Sequence, residues 1–109
     1  MSQHILKTTD AKGASVQVRI GYDRPLDYIH CTVTDQDGEI SYSNLGDVEA
    51  LTEVQDVDYY RPILADLGIT VPEAIFDEVS NDQAGRVGNR VVVYEAGADG
   101  SLTTLETHS

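Results

Sequence analysis

The feature that most constrains the fold is the strict alternation of apolar and polar residues in two early segments. Residues 15–22 place an apolar side chain at every second position, and residues 28–34 repeat the pattern. A period of two puts alternate side chains on opposite faces of a β-strand, which predicts half-buried strands. Asp37-Gly38 then precedes a run at 39–43, and such a pair is a strong hairpin signal. With a further strand at 4–9, the chain is predicted to begin with four antiparallel strands.

The periodicity becomes helical in the middle of the chain. The apolar residues of 58–67 share one helix face, and either Asp56 or Asp58 is predicted to cap its N-terminus. Gly68 follows the last apolar residue, where a left-handed conformation commonly ends a helix. The acidic stretch before this helix is weakly patterned and predicts one or two helical turns capped by Asp47.

A second helix is predicted over 70–84, where Thr70 and Glu73 have the spacing of a capping box. Two strands follow, at 89–95 and 101–106, joined by a turn at 99–100. The order β-β-β-β, α-α, β-β predicts an α+β fold with one antiparallel sheet of five to six strands. Two helices are expected to pack on one face of this sheet, which gives two layers.

The length of 109 residues predicts a single α+β domain over 1–109, because a chain of this size forms one hydrophobic core. Cys31 is the only cysteine, so an internal disulfide and a cysteine metal cage within one chain are both excluded. The N-terminal residues do not resemble a secretion signal, and no apolar run reaches the roughly 18 residues that span a bilayer. These features predict a cytoplasmic protein.

The acidic charge is concentrated in the middle of the chain. The net charge is −12, and residues 27–82 hold fourteen acids with one base, Arg61, whereas residues 1–26 hold four bases and two acids. Such a balance disfavours direct contact with nucleic acid or an anionic membrane, since both depend on lysine and arginine. The candidate partner-binding residues are the carboxylates of the two densest acidic segments: Asp47, Glu49, Glu53, Asp56, Asp58, Glu73, Asp77, Glu78 and Asp82.

Two interpretations of this acidity stay open. It can be a solvated surface that favours solubility or life in a salty host, or it can face a basic partner, of which a nucleic-acid-binding protein is one kind. Carboxylates four residues apart on a helix are about 6 Å apart, which is loosely comparable to successive phosphates along a strand. We therefore predict a small, acidic, non-enzymatic interaction protein. One concrete form is a nucleic-acid mimic that inhibits a host defence nuclease, of anti-CRISPR or anti-restriction type, encoded by a phage or plasmid.

Several chemical motifs can be tested and set aside. His30 and Cys31 are adjacent on a predicted strand, so their side chains point to opposite faces and do not form a nucleophile pair. Cys31 is expected in the core, and His30 on the surface. The acids at 35, 37 and 39 resemble the start of a calcium loop, but Ile40 and Gly46 stand where glycine and glutamate are needed. No metal, cofactor or enzymatic activity is expected.

Two alternatives to the acidic interaction protein remain. The segments 21–26 and 88–90 bring glycines, a proline and arginines into strand connections. They can be structural corners, with Arg24 and Arg90 bridging to the carboxylates of residues 27–82, or a small-ligand or enzyme site can centre on Tyr22, Arg24, His30 and Arg90. A homodimer that buries the sheet face left open by the helices is the third possibility.

Three segments carry a resemblance: GYDRPL at 21–26, YSNL at 42–45 and GNRVVVY at 88–94. Over about residues 16–94, the chain resembles a family of small uncharacterised bacterial proteins with no known function. The resemblance implies a bacterial origin and a single-domain layout. It implies no catalytic or binding residue.

Overall fold

A computed structural model describes residues 1–52, 56–97 and 101–108. Within these ranges the chain forms six β-strands, three α-helices and a short 3₁₀ helix. The strands are β1 (Ser2–Thr9), β2 (Ser15–Asp23), β3 (Tyr28–Thr34), β4 (Ile40–Ser43), β5 (Arg90–Ala96) and β6 (Leu102–His108). The helices are α1 (Val48–Thr52), α2 (Val57–Asp66) and α3 (Glu73–Ala84), and the 3₁₀ helix is Asn44–Gly46.

The six strands form one mixed sheet in the order β4-β3-β2-β1-β5-β6. The α+β class is confirmed, but the expectation of a purely antiparallel sheet is wrong, because β5 runs parallel to β1. The other four neighbouring pairs are antiparallel. The helical segment carries the chain from the β4 edge to the far side of β1, so no hairpin fixes the direction of β5.

The turn and cap residues account for most of the element boundaries. Gly38 has a φ of +84°, and its N–H donates to the carbonyl oxygen of Asp35 at 3.0 Å, which closes the predicted β3–β4 hairpin. The Asp56 carboxylate accepts from the N–H of Asp58 and caps α2, while Gly68 adopts the predicted left-handed conformation with φ of +75°. The predicted turn at 99–100 lies outside the described residues.

The capping box at Thr70 is wrong. α3 begins at Glu73, and its N-cap is Pro72, whose side chain has no hydrogen-bonding atom and therefore makes no cap. The Glu73 carboxylate does not turn back toward Thr70, since both of its oxygens accept hydrogen bonds from Arg61.

The core is built from alternate residues of the central strands and from the apolar stripes of α2 and α3. Leu6 is opposite Val18 in β2 and beside Tyr94 in β5, and all three are buried. Tyr60 of α2 is fully buried and donates its hydroxyl hydrogen to the carbonyl oxygen of Ile29 at 2.9 Å. Each large apolar side chain buried in this way contributes about 1.5–3 kcal/mol, so the sheet and helices hold together mainly through this cluster.

The opposite face of the sheet carries Gln3, Ile5, Lys7 and Arg19, which alternate with the core residues along β1 and β2. Lys7 and Arg19 are exposed, and Ile5 is half-buried. We call this side of β2, β1, β5 and β6 the open sheet face. Among the described helices, none is long and apolar enough to cross a membrane.

Candidate functional site

Arg61 joins two carboxylates on the outside of the helices. Its Nε donates to Asp58 of α2, and its two terminal nitrogens donate to the two oxygens of Glu73 of α3, each at 2.6 Å. Its guanidinium also lies 4.4 Å from the ring centre of Phe76. The hydrogen bonds with Glu73 and Asp58 raise the pKa of Arg61, and Arg61 in turn lowers the pKa of Glu73. We call Asp58, Arg61 and Glu73 the Arg61 cluster.

Further exposed acids belong to the same two helices. Asp56 at the N-cap of α2 and Asp77 on α3 are exposed. Asp77 is four residues after Glu73, so the two side chains share one side of the helix. The four carboxylates Asp56, Asp58, Glu73 and Asp77 form what we call the acidic helical surface. Together with Arg61 they carry a formal net charge of −3, which a cationic partner would be attracted to.

Asp47 has a structural role of its own. One carboxylate oxygen accepts from the N–H groups of Glu49 and Ala50, which caps α1 as predicted. The other oxygen accepts hydroxyl hydrogen bonds from Tyr42 and Tyr59, each at 2.7 Å. The hydrogen bond from Tyr42 lowers the pKa of Asp47 most, and the bond from Tyr59 adds to this effect. In return, the bond to Asp47 raises the pKa of Tyr59 to about 12. The side chain therefore secures α1 to α2.

The remaining candidates are scattered along the acidic segments. Glu49 is exposed in the first turn of α1. Glu53 lies outside the described residues. Glu78 is 2.9 Å from the guanidinium of Arg90, with its side chain 42% exposed.

Asp82 does not belong to the exposed acidic row, because it is only 1% exposed. One carboxylate oxygen lies 2.6 Å from Nε2 of His4, and the other accepts from Arg90 at 2.9 Å. A carboxylate held in this way inside the protein is not available to a partner surface. Its buried position follows from its place on the α3 stripe, three residues after the fully buried Val79.

The structure thus contains a partly buried polar network, in which the predicted bridge from Arg90 to the carboxylates of the acidic middle segment is confirmed and the part played by His4 is new. His4 is fully buried, and its Nδ1 lies 2.8 Å from the hydroxyl oxygen of Tyr94. Nε2 of His4 can donate to the Asp82 carboxylate, and Nδ1 pairs with the Tyr94 hydroxyl, so both ring nitrogens have a partner. We call His4, Glu78, Asp82, Arg90 and Tyr94 the Arg90 network. A sequence signal for the part of His4 is its position on the same strand face as Leu6.

The alternative site around Tyr22, Arg24, His30 and Arg90 is divided among separate contacts. Tyr22 is buried and donates to Asp27 at 2.5 Å, and Asp27 also accepts from Arg86 at 3.2 Å. Arg24 packs near Gly88, since a Cβ placed on that glycine would lie 3.2 Å from the guanidinium carbon. Arg90 belongs to the Arg90 network instead.

His30 is buried, so the expectation that it lies on the surface is wrong. Its Nε2 is 2.8 Å from the carbonyl oxygen of Ser2, and the ring fits above Gly21, whose missing side chain leaves the space. Burial lowers the pKa of His30, although the hydrogen bond with Ser2 opposes this shift. The neutral ring therefore links the start of β1 to β3 across β2. Cys31 is buried as predicted, and burial raises its pKa to about 12.

Two clefts lie at one end of the sheet. One, of about 430 Å³, is lined mainly by polar residues at the ends of β1 and β5 and the start of β2. The other, of about 310 Å³, lies between the β3–β4 hairpin and the end of α2. None of Tyr22, Arg24, His30 or Arg90 lines either cleft. Within the described ranges, no group of three or more metal-binding side chains is placed to hold an ion.

Comparisons with known proteins give no relative on which function can be based: no protein family, no curated protein and no solved structure matches the chain.

Proposed function

We propose that the protein is a non-enzymatic interaction protein that presents the acidic helical surface to a basic partner. The observation that carries this proposal is the Arg61 cluster, in which one guanidinium holds carboxylates from two helices in a fixed geometry. The carboxylates are held but still accessible, since the side chains of Asp58 and Glu73 are 71% and 62% exposed.

Pre-organisation is what distinguishes such a surface from a general excess of acid. Side chains that are already ordered lose less conformational freedom on binding, so more of the interaction energy is retained as affinity. The proposal requires a two-layer arrangement, in which α2 and α3 pack on one face of the sheet. The carboxylates then lie on the side of the helices that faces away from the sheet.

A partner that normally binds nucleic acid fits this chemistry. Its arginines would find carboxylates at short, regular intervals on α3, such as Glu73 and Asp77, in place of phosphate oxygens. In this form the protein would compete with nucleic acid for the partner, and a defence nuclease is one such partner. The attraction would weaken as salt rises, because exposed charges are screened over about 8–10 Å at moderate ionic strength.

The test is retention of a partner from a lysate of the source organism by two double variants with the same change in charge. Glu73→Lys/Asp77→Lys reverses two acids of the acidic helical surface. Asp37→Lys/Glu39→Lys reverses two exposed acids at the β3–β4 hairpin and serves as the control. We expect the first variant to lose a nucleic-acid-binding protein that the wild type and the control retain at low salt.

Added double-stranded DNA should displace the same protein from the wild type if the surface acts as a mimic. Equal retention by both double variants would contradict the proposal, since it would mean that the acidic helical surface makes no specific contribution. Retention that depends on this surface but resists DNA would leave an acidic interaction protein and exclude the mimic.

A further inference from the structure

The open sheet face has a charge pattern that is complementary to itself. Arg19, Ile5, Val93 and Glu106 lie side by side on β2, β1, β5 and β6, because each is paired in register with the next. The order across the face is therefore cation, apolar, apolar, anion. The two charged members are exposed, whereas Val93 is 8% exposed and Ile5 is half-buried between its neighbours.

The next row along the strands has its charges in the central positions but on the same sides. Lys7 of β1 is in register with Glu95 of β5, and both side chains are exposed. Polar residues flank them, with Gln17 on β2 and Thr103 on β6. In both rows, positive charge lies on the β2–β1 side and negative charge on the β5–β6 side.

Consider a two-fold axis that runs parallel to the strands and lies above the sheet, midway between β1 and β5. Rotation about this axis places the positive side of each row opposite the negative side of the same row in a second copy. When a second copy is placed face to face about this axis, β1 faces β5 of the partner and β2 faces β6 of the partner. Ile5 then meets Val93 of the other copy, and Arg19 meets Glu106 of the other copy. An interface with this symmetry is isologous, so every favourable contact occurs twice.

We propose that the open sheet face binds a second copy of this chain, with the sheets packed in an aligned sandwich. Aligned packing at about 10 Å between sheets is a common arrangement for twisted sheets, and it suits the central apolar pair. The interface would be four strands wide on each copy, which is at the small end for specific complexes, so a weak and reversible dimer is expected.

Arg19 and Glu106 provide a decisive pair, because they are unable to meet within one chain. Three inter-strand spacings separate them, which is roughly 14 Å. Among the described residues, no ion pair links Arg19 to a carboxylate, and Glu106 has only a 3.9 Å contact with His108. Any energetic coupling between these two side chains must therefore arise between copies.

The experiment is sedimentation equilibrium of the full chain over a wide range of concentration. The wild type should approach twice the mass of 11.9 kDa as concentration rises. Arg19→Glu and Glu106→Arg should each weaken association by at least about tenfold, because each places like charges opposite one another twice. Lys12→Glu and Glu39→Arg change the charge by the same amounts at exposed turn positions and should have little effect.

Two rescues make the test specific. The double variant Arg19→Glu/Glu106→Arg should restore association, because each reversed charge again faces its opposite. An equimolar mixture of the two single variants should also associate, as a heterodimer in which both charge pairs are favourable.

A strictly monomeric wild type at high concentration would overturn the proposal. So would a dimer that responds no more to Arg19→Glu than to Lys12→Glu, because another surface would then be responsible. Neither Arg19 nor Glu106 belongs to the acidic helical surface, so this test and the test of partner binding succeed or fail separately.

Discussion

Two arginines in this protein each bind two carboxylates, yet their surroundings differ. Arg61 joins Asp58 and Glu73 on the outside of α2 and α3, where both carboxylates are largely exposed. Arg90 joins Glu78 and Asp82, and the Asp82 side chain is only 2% exposed and also contacts a fully buried His4. The arginines themselves are similarly accessible, at 36% and 30%.

The two arginines are expected to differ in their contribution to stability, because water can hydrate the exposed carboxylates of Arg61 but not the buried carboxylate of Asp82. If an exposed pair is broken, both charges are hydrated again, so such a pair contributes about 0–1 kcal/mol to stability. If one partner of a buried pair is removed, the other charge stays desolvated without compensation, which is strongly destabilising. The same grouping of residues therefore holds the fold together at Arg90, while at Arg61 it leaves a charged surface available.

The largest effect is expected from Asp82→Ala. This change leaves Arg90 and His4 without their shared buried partner, and we expect a loss of about 3–5 kcal/mol in the free energy of unfolding. Urea denaturation followed by circular dichroism measures it. Asp77→Ala on the exposed side of the same helix is the control and should change stability by no more than about 0.5 kcal/mol. A similar small loss for Asp82→Ala would mean that the buried network does not stabilise the fold.

A smaller effect is expected from Tyr94→Phe, which removes one hydroxyl from the Arg90 network. Nδ1 of His4 then has no partner in a buried site, at a cost of about 1–3 kcal/mol in the free energy of unfolding. Tyr59→Phe removes a hydroxyl bound to the more accessible Asp47 and should cost less. Urea denaturation of both variants, side by side, checks the order, and a larger loss for Tyr59→Phe would contradict it.

Burial of His30 makes the stability of the fold depend on pH. Its pKa in the folded protein lies below the ordinary value of 6.5, whereas the unfolded chain titrates near that value. As pH falls below about 6.5, His30 is protonated in the unfolded chain before it is protonated in the folded protein. The free energy of unfolding therefore decreases with falling pH, until the pH passes below the pKa of His30 in the folded protein.

His30→Gln keeps an N–H donor for Ser2 but does not titrate. It should therefore show a weaker fall in unfolding free energy with acid than the wild type, in denaturation curves at a series of pH values. His108→Gln, the same substitution at an exposed histidine, is the matched control. Identical pH dependence in His30→Gln and the wild type would contradict this role for His30.

The smallest effect is expected from Glu73→Gln. It removes a charge from the Arg61 cluster at an exposed position, so the midpoint of urea denaturation should not change measurably. A clear shift in the midpoint would show that the exposed cluster contributes to the fold as the buried network does.

Sequence signals predicted the strands and turns well. These signals are local. Strand β2 follows from the alternation of Val16, Val18 and Ile20, and the hairpin turn follows from the positive φ that Gly38 adopts. The direction of β5 was missed because it depends on a long helical connection, which has no local signal. The capping box at Thr70 failed because Arg61, twelve residues before Glu73, offered that carboxylate a stronger partner.

The candidate site was less predictable than the fold. Acidic composition identified the carboxylates, but it does not distinguish an exposed Asp77 from a buried Asp82 on one helix. The partners of Asp82, His4 and Arg90, come from opposite ends of the chain and meet only because β1 and β5 are neighbours. Contacts of this kind are fixed by strand order, which is the part of the topology that periodicity leaves undetermined.

The most direct test of the difference between the two arginines is the free energy of unfolding of Arg90→Ala and Arg61→Ala, measured side by side by urea denaturation. We predict a loss of about 3–5 kcal/mol for Arg90→Ala, because Asp82 loses its counter-charge while buried. For Arg61→Ala we predict at most about 1 kcal/mol, since its carboxylates return to water. Equal losses in the two variants would contradict the distinction between a network that holds the fold and a cluster that is available to a partner.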